Sequence, residues 1–394
     1  MKRRKRVKNG SPRRDLEKRA RQIVRRGIIL DLGSNVFRVS SQSQKHRYCE
    51  VRFPGDWSCD CAYHAMRHAD CKHIMAVQLL VMSVPDIAPT GLELKRPAVR
   101  CASKECGPAN CTHCQTRPRR FGGASHRYGC ADCGKRFTFR PGFLGRRYPS
   151  GAITDVLEDV AAGKSLAGAA RGVGKRSCAG TKRTPARSSA GRWAEDANAM
   201  TARIYGNIPM PVSGRWTVDG TYVRTLGGDR YLFGVMDSGS RFVTACDMSD
   251  TKLDCDATDL FRKAVGAAGK IPRVLVSDRL HGFGRGFKNV MAGGRRGQRE
   301  RSRPPCHVRS ASIRGRHVNN NRRERLNGVI KDRIKTVRGF NSENPALLGL
   351  LVTYYNFLRP HAGLDGKTPA EKLGILVRGP DKWATLLACA AAYC

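Results

Sequence analysis

Acidic residues are scarce in this chain of 394 residues. Thirty-two Asp and Glu stand against 73 Lys and Arg, for a formal charge of +41. Such an excess repels itself in a compact state unless an anion neutralises it. Nucleic acid is the commonest polyanion of that kind, because neutralising its phosphates releases counterions; a solvated basic surface is the plain alternative. Long apolar runs are also missing. Runs such as "IMAVQLLVM" at 74–82 fall well short of the roughly 18 residues of a membrane span, so no membrane role is expected. The opening "MKRRKRVKNG" has no apolar stretch behind its charges, which argues against a secretory signal and for a cytoplasmic, nucleoid-associated protein. No internal repeat is visible. The length predicts two to four modules, and 40% hydrophobic residues suffice to build cores.

Sixteen cysteines are present. In a cytosolic chain, clustered cysteines point to metal rather than disulfides. The stretch "CDCAYHAMRHADCKH" places Cys59 and Cys61 at one end and Cys71 and His73 at the other. Thiolates and imidazoles bind Zn²⁺ tetrahedrally, with four protein ligands in structural sites. The spacing, CxC, nine residues, CxH, resembles the SWIM zinc finger, with strand-like runs before it and the helical "KHIMAVQLLVM" after it. Buried free cysteines are the bland alternative, and His64 and His68 read as ordinary. A second cluster holds two CxxC knuckles, Cys111 with Cys114 and Cys130 with Cys133, the spacing of a zinc ribbon. Cys101 and Cys106 are spare, and either could take the place of Cys111. Two ligand sets imply about two structural Zn²⁺. The isolated cysteines at 49, 178, 246, 255, 306, 389 and 394 read as inert.

Composition divides the chain. Residues 1–27 read as a basic arm, disordered over its first twenty residues, and 28–83 as the first zinc module. Three prolines mark a linker at 84–100, and 101–140 forms the second zinc module. Residues 150–196 read as two short helices around Gly163, a candidate helix-turn-helix whose second helix would enter a major groove. From 213 to 340 the runs "RWTVDGTYVRT", "RYLFGVMDSGS", "RFVTACDMS" and "RVLVSD", with helices after them, read as an α/β unit. Residues 341–394 read as a helical C-terminal region, and "GGRRGQRERSRPP" at 293–305 as an exposed basic loop.

Three carboxylates stand out in the α/β unit. Asp219 falls mid-strand in "RWTVDGTYV", where an acid is unfavourable unless paired or metal-bound. Strand alternation puts Thr217, Asp219 and Thr221 on one face. Asp278 ends the apolar strand "RVLVSD", where ligands of α/β sheets gather. Glu324 opens a helix after the capping run "NNN", on a face with Asn327 and Lys331 and off the stripe of Leu326, Ile330, Ile334 and Val337. Three such acids can hold two Mg²⁺ about 3.5–4 Å apart, with Mn²⁺ as a substitute, for phosphodiester chemistry. Asp237 in "DSGS", Asp247, Asp254 and Asp256 read as turn, cap or surface acids.

The run "HVNNNRRERLNGVIKDRIKTVRGF", followed by "YYNFLRPHAGLDGKTPAEKLGI", is similar to the end of DDE transposases of insertion sequences, archaeal ones above all. Some of these carry a SWIM finger, a zinc ribbon and a helix-turn-helix in the order seen here. The resemblance covers most of 28–375 and implies catalytic roles for Asp219, Asp278 and Glu324. It also implies a multidomain α/β protein whose RNase H-like catalytic domain spans 213–340, after small zinc-binding and helical DNA-binding modules. Its partners would be element ends and target DNA, bound by a homodimer or higher oligomer that cleaves and transfers strands. Arg279 departs from the pattern, standing where the family has Gly. An inactive or domesticated DNA-binding protein that keeps the zinc modules, and an RNase H-like nuclease, are the alternatives.

Overall fold

The computed structural model describes residues 12–26, 29–33, 36–42, 44, 47–53, 57–82, 91–95, 119–121, 127–129, 136–138, 143, 148–176, 184–225, 228–278, 280–292, 305–309, 321–336 and 346–391. The first unit begins with helix α1 (Pro12–Arg26). A four-stranded meander follows: β1 (Ile29–Gly33), β2 (Val36–Ser40), β3 (Tyr48–Arg52) and β4 (Ser58–Cys59). Helices α2 (Ala62–Arg67) and α3 (Lys72–Met82) complete it. Alternation decides the sheet's inner face, where Phe37, Val39, Cys49 and Val51 are buried. Ala20 and Ile23 of α1 and Ile74 and Val77 of α3 close over that face. Residues 12–20, expected to be disordered, therefore lie instead in α1. Their few apolar positions fall on one side of a helix that has a partner in α3.

Strand β5 (Leu92–Leu94) lies within the expected linker. Next come β6 (Arg119–Phe121), β7 (Arg127–Gly129) and β8 (Arg136–Thr138), which form an antiparallel sheet in that order. Cys101, Cys106, Cys111, Cys114, Cys130 and Cys133 lie outside the described residues. Helices α4 (Ser150–Ala162), α5 (Leu166–Arg176) and α6 (Arg187–Asn207) follow. Gly163 ends α4 at φ 114°, where its own N–H and that of Lys164 close on the carbonyls of Val160 and Asp159. A glycine suits this left-handed cap because it lacks the Cβ that makes the conformation costly.

The central sheet is built from β9 (Arg215–Thr225), β10 (Gly228–Asp237), β11 (Val243–Ser249), β12 (Val274–Ser277) and β13 (Cys306–Arg309). Helix α7 (Asp254–Ala268) precedes β12, and α8 (His281–Phe287) follows it. Helices α9 (Asn321–Thr336), α10 (Ala346–Thr353) and α11 (Pro369–Lys372), strand β14 (Ile375–Val377) and helix α12 (Lys382–Ala391) complete the chain. The sheet order is β11-β10-β9-β12-β13, antiparallel from β11 to β9 and parallel from β9 to β13. This is the order of an RNase H-like core. On one face Trp216, Val218, Phe233, Val235 and Leu275 pack with α7 and α8. On the other, Val223, Leu232 and Met236 meet Leu326 and Ile330 of α9 and Leu348 and Val352 of α10. Over β12 and β13 the same face is covered by the N-terminal unit, through Val274, Val276, Cys306 and Val308. Helices α4–α6 pack on α10 and α12 around Trp193 and Trp383. The β5 strand pairs in parallel with β14. Among the described residues, no helix is long and apolar enough to cross a membrane.

One acid read as an ordinary turn residue is different in kind. Asp247 and Asp254 are paired with Lys263 and Arg285, and Asp256 caps α7 through the N–H of Leu253, as surface and cap acids do. Asp237 also sits in a turn but is 0% exposed. Its carboxylate accepts from the hydroxyl of Ser213, and from the N–H (2.8 Å) and hydroxyl (2.6 Å) of Ser240. Burial raises its carboxyl above the usual carboxylate range. The turn folds inward because Ser213, remote in sequence, supplies a donor that "DSGS" alone does not contain. Asp237→Ala would remove the carboxylate acceptor of two buried hydroxyls and of the Ser240 N–H. It is expected to lower unfolding free energy by about 1–3 kcal/mol in urea titration, and an unchanged midpoint would return Asp237 to the surface class.

Candidate active site

The chain leaves β9 toward β10 on one side and returns through β12 on the other. That reversal sets the carboxyl end of β12 beside the middle of β9, near the place where open α/β sheets bind ligands. Asp219 and Asp278 lie there. β12 pairs with β9 from Val274↔Arg215 to Val276↔Thr217, and continuing that register sets Asp278 beside Asp219. Both are half-buried. Opposite Asp219 on β10 is Gly234, which adds no side chain there. Asp278 accepts the N–H of Leu280 at 2.9 Å, and this short turn directs the chain into α8.

Helix α9 is fixed over Asp219 by one side chain. Asn327, 5% exposed, donates from Nδ2 to Asp219 Oδ2 at 2.7 Å. Its Oδ1 is buried and without a hydrogen-bond partner among the described residues. Glu324 lies one turn before Asn327 in α9, on the same side of the helix. The backbone thus brings the third acid's helix to the first acid's strand. Leu326 and Ile330 seat that helix in the core, and Arg333 reaches across Gly163, where a Cβ would meet its guanidinium. The sequence put Asn327 on the face of Glu324 but assigned it no task, because its partner is 108 residues away.

Two further residues escaped sequence reasoning. Ser277 donates its hydroxyl to the carbonyl of Asp278 at 2.8 Å and lies 2.8 Å from Nε2 of His307 on β13. With the hydroxyl proton committed to the carbonyl, Nε2 of His307 is the donor to Ser277. Burial, with Arg309 nearby, lowers the His307 pKa to about 4, and its ring stacks on Phe287 with centroids 5.0 Å apart. This chain holds the main chain at Asp278. The available signal was a histidine within the apolar run "CHVR".

In the N-terminal unit, Cys59, Cys61, Cys71 and His73 converge. Their ligand atoms all lie within 4.8 Å of one another. His73 Nδ1 is 3.8 Å from the sulfur of Cys59 and 3.9 Å from that of Cys71. Helix α2 takes up the nine-residue spacer, and His64 is engaged with the carbonyl of Ala69 at 2.9 Å, outside the set. Cys71 caps α3, its sulfur accepting the N–H of Ile74. A hydrogen bond from Cys59 lowers the Cys71 thiol to about 3, and the same bond raises Cys59. Three thiols and an imidazole, mostly buried and within a few ångströms, are the donor set of structural zinc. Cys49, beside the cluster, is pushed up to about 11 chiefly by burial, in keeping with an inert thiol.

Residues 212–292 match the integrase core domain family. The matched segment runs from just before β9 through α8 and contains Asp219 and Asp278; it ends before α9. The match is thus to an integrase core over this segment alone. No curated relative matches the chain. Among solved structures, the chain is similar to the HTLV-2 integrase catalytic core domain in complex with magnesium. The trimeric form is 19% identical over 42% of this chain and 97% of that one, with a TM-score of 0.31. The dimeric form is 15% identical over 43% and 97%, also at 0.31. A simian T-cell lymphotropic virus intasome in complex with a PP2A regulatory subunit is 16% identical over 43% and 55%, at 0.32. The fold assignment rests on the strand order and on the matched segment.

The His307 arrangement has a pH signature. An ordinary imidazole has a pKa of 6.5, and in the folded chain His307 has a value near 4. As pH falls below 6.5 the unfolded chain takes up a proton that the folded chain refuses, so stability is lost from about 6.5 down to 4 and no further below. Between pH 7 and 5 the wild type is expected to lose up to roughly 2 kcal/mol from this group. His307→Asn should shrink that loss in urea unfolding, and an identical loss in the variant would remove His307 as its source.

Proposed function

We propose that this protein is a DDE-type transposase that binds the ends of an insertion sequence, cleaves DNA and transfers the resulting strand to target DNA. The observation that carries the reading is the meeting of Asp219, in mid-β9, with Asp278, just past the end of the neighbouring parallel strand β12, in the segment matched to an integrase core and under a helix that Asn327 ties to Asp219. In this reading Asp219, Asp278 and Glu324 would hold Mg²⁺. The oxygen donors suit that ion, and the buried, unpartnered Oδ1 of Asn327 marks a polar centre beside them. Bound metal would activate a water or a 3′-hydroxyl and stabilise the leaving oxygen. The protein's own part is positional. Asn327 holds the Asp219 carboxylate, and Ser277 with His307 holds the main chain at Asp278.

The other modules take roles around this centre. We assign zinc to Cys59, Cys61, Cys71 and His73, on the strength of their convergence, and a second zinc to Cys111, Cys114, Cys130 and Cys133, on their spacing and the flanking β6–β8 sheet. The zinc modules and the helical pair around Gly163 would grip duplex DNA, with the +41 charge supplying phosphate contacts. Two ends must be joined, so a dimer or higher oligomer acts on DNA. The setting is the cytoplasm, at the nucleoid.

The assay uses pre-cleaved element ends and a plasmid target. Asp219→Ala, Asp278→Ala and Glu324→Ala are each expected to reduce joined product on the order of 1,000-fold or more while DNA binding persists, because the ligands of a two-metal site act as a unit. Mn²⁺ should support joining and Ca²⁺ binding alone. Full activity in Glu324→Ala would remove the third acid from the site, and wild-type binding without joining would favour a DNA-binding protein that has lost the enzyme.

Zinc is tested separately. Purified protein is expected to contain about two zinc ions per chain by elemental analysis. Cys71→Ser should lose one of them. Because the first unit shares a core with β12 and β13, that loss should also make the central sheet more sensitive to proteolysis. A zinc-free, fully folded protein would refute the assignment.

A further inference from the structure

The far half of β9 carries a second cluster. Tyr222 on β9 faces Tyr231 on β10 as a cross-strand pair. Their rings lie 4.4 Å apart at 50°, and their hydroxyls are 2.7 Å apart. Lys252 sits over both, its Nζ 5.0 Å from the Tyr222 centroid and 4.7 Å from that of Tyr231. Tyr231 stacks on Phe233, which belongs to the core and anchors the pair. Tyr222 stays 52% exposed and the adjacent Leu253 60%.

The cluster borders the carboxylate site. β12 covers β9 only as far as Thr217, so Tyr222 projects beyond the edge where Asp219 and Asp278 meet. Tyr222 is three residues past Asp219, roughly 10 Å along the strand and on the other face. The main chain at Lys252 and Leu253 abuts the first turn of α8, where a Cβ on Gly282 would lie 3.3 and 3.2 Å from their carbonyl oxygens. That turn is the one Asp278 opens. His281 and Arg285 are exposed on the same helix, and Arg285 pairs with Asp254.

We propose that Tyr222, backed by Tyr231 and Lys252, is a stacking platform for an unpaired nucleotide of the DNA strand that passes through the carboxylate site. This rests on the reading of that site as one that processes DNA. The ring decides the chemistry of the ligand. A duplex hides its bases in the stack and offers phosphates, for which Lys252 alone would serve. An unpaired nucleotide also offers a flat π-face, and stacking on an aromatic side chain tolerates any base. The cation is held in place by two rings and two hydroxyls, so it can meet a backbone phosphate as the base lies on Tyr222.

The test measures binding of the full-length protein in Ca²⁺, which permits binding with little chemistry. Two probes are compared at equal salt: a blunt duplex, and the same duplex with a short unpaired 3′ tail containing 2-aminopurine. The wild type is expected to bind the tailed probe about 10-fold tighter and to quench the 2-aminopurine. Tyr222→Ala should lose the preference and the quenching while its affinity for the blunt duplex, which also reports folding, stays within about 2-fold. Tyr222→Trp should retain both. Equal affinity of the wild type for the two probes would overturn the platform, as would full quenching by Tyr222→Ala. Joining is not read in this experiment. A protein that prefers the tail but joins no ends would support the platform and sink the transposase, and one that joins ends without the preference would do the reverse.

Discussion

A half-buried carboxylate in the middle of the first strand of a sheet has to be stabilised by something, and here the visible stabiliser is an amide from another element. Asn327 donates to Asp219, and this bond sets where α9 lies on the sheet. The bond offsets part of the desolvation cost of a half-buried carboxylate. With it, the helix that holds Glu324 is registered to the strand that holds Asp219. Leu326 and Ile330 give the helix adhesion, but apolar contact does not fix register; a hydrogen bond to a charged group does. The geometry of the site follows from this tie together with the parallel register that sets Asp278 beside Asp219.

The second constraint is a shared core. The face of β12 and β13 that carries Val274, Val276, Cys306 and Val308 is closed by the N-terminal unit. The metal-ligand cluster is therefore not a bead on a string. Cys71 is a member of the same apolar cluster as Val276, two residues from Asp278 in the chain. An event that loosens the first unit exposes the strand that positions the second acid.

What could be read in advance follows from range. The alternation in "RWTVDGTYV" and the apolar run before Asp278 are local, and both strands lie where the pattern put them. The CxC and CxH pairs are local too, and their convergence was legible because the spacer is one short helix. Asn327 was visible as a face-mate of Glu324, not as a ligand of Asp219. Helix α1 was hidden by its charge, since Ala20 and Ile23 become a stripe only once α3 covers them. Strand β5 lies in a proline-marked stretch and pairs with β14 near the other end of the chain. Asp237 reads as polar turn chemistry, and the pairing with Ser213, just before β9, that helps to bury it lies 24 residues away. His307 looked like one histidine among ten until Ser277 and Phe287 enclosed it.

The central claim is that Asp219, Asp278 and Glu324 form one metal-binding centre. The most direct measurement is a crystal structure of the protein grown with Mn²⁺, read by anomalous scattering. The account predicts two manganese peaks about 3.5–4 Å apart between the middle of β9 and the carboxyl end of β12, coordinated by oxygens of Asp219, Asp278 and Glu324. Manganese bound elsewhere with that position empty, or Glu324 turned away from an occupied site, would contradict it.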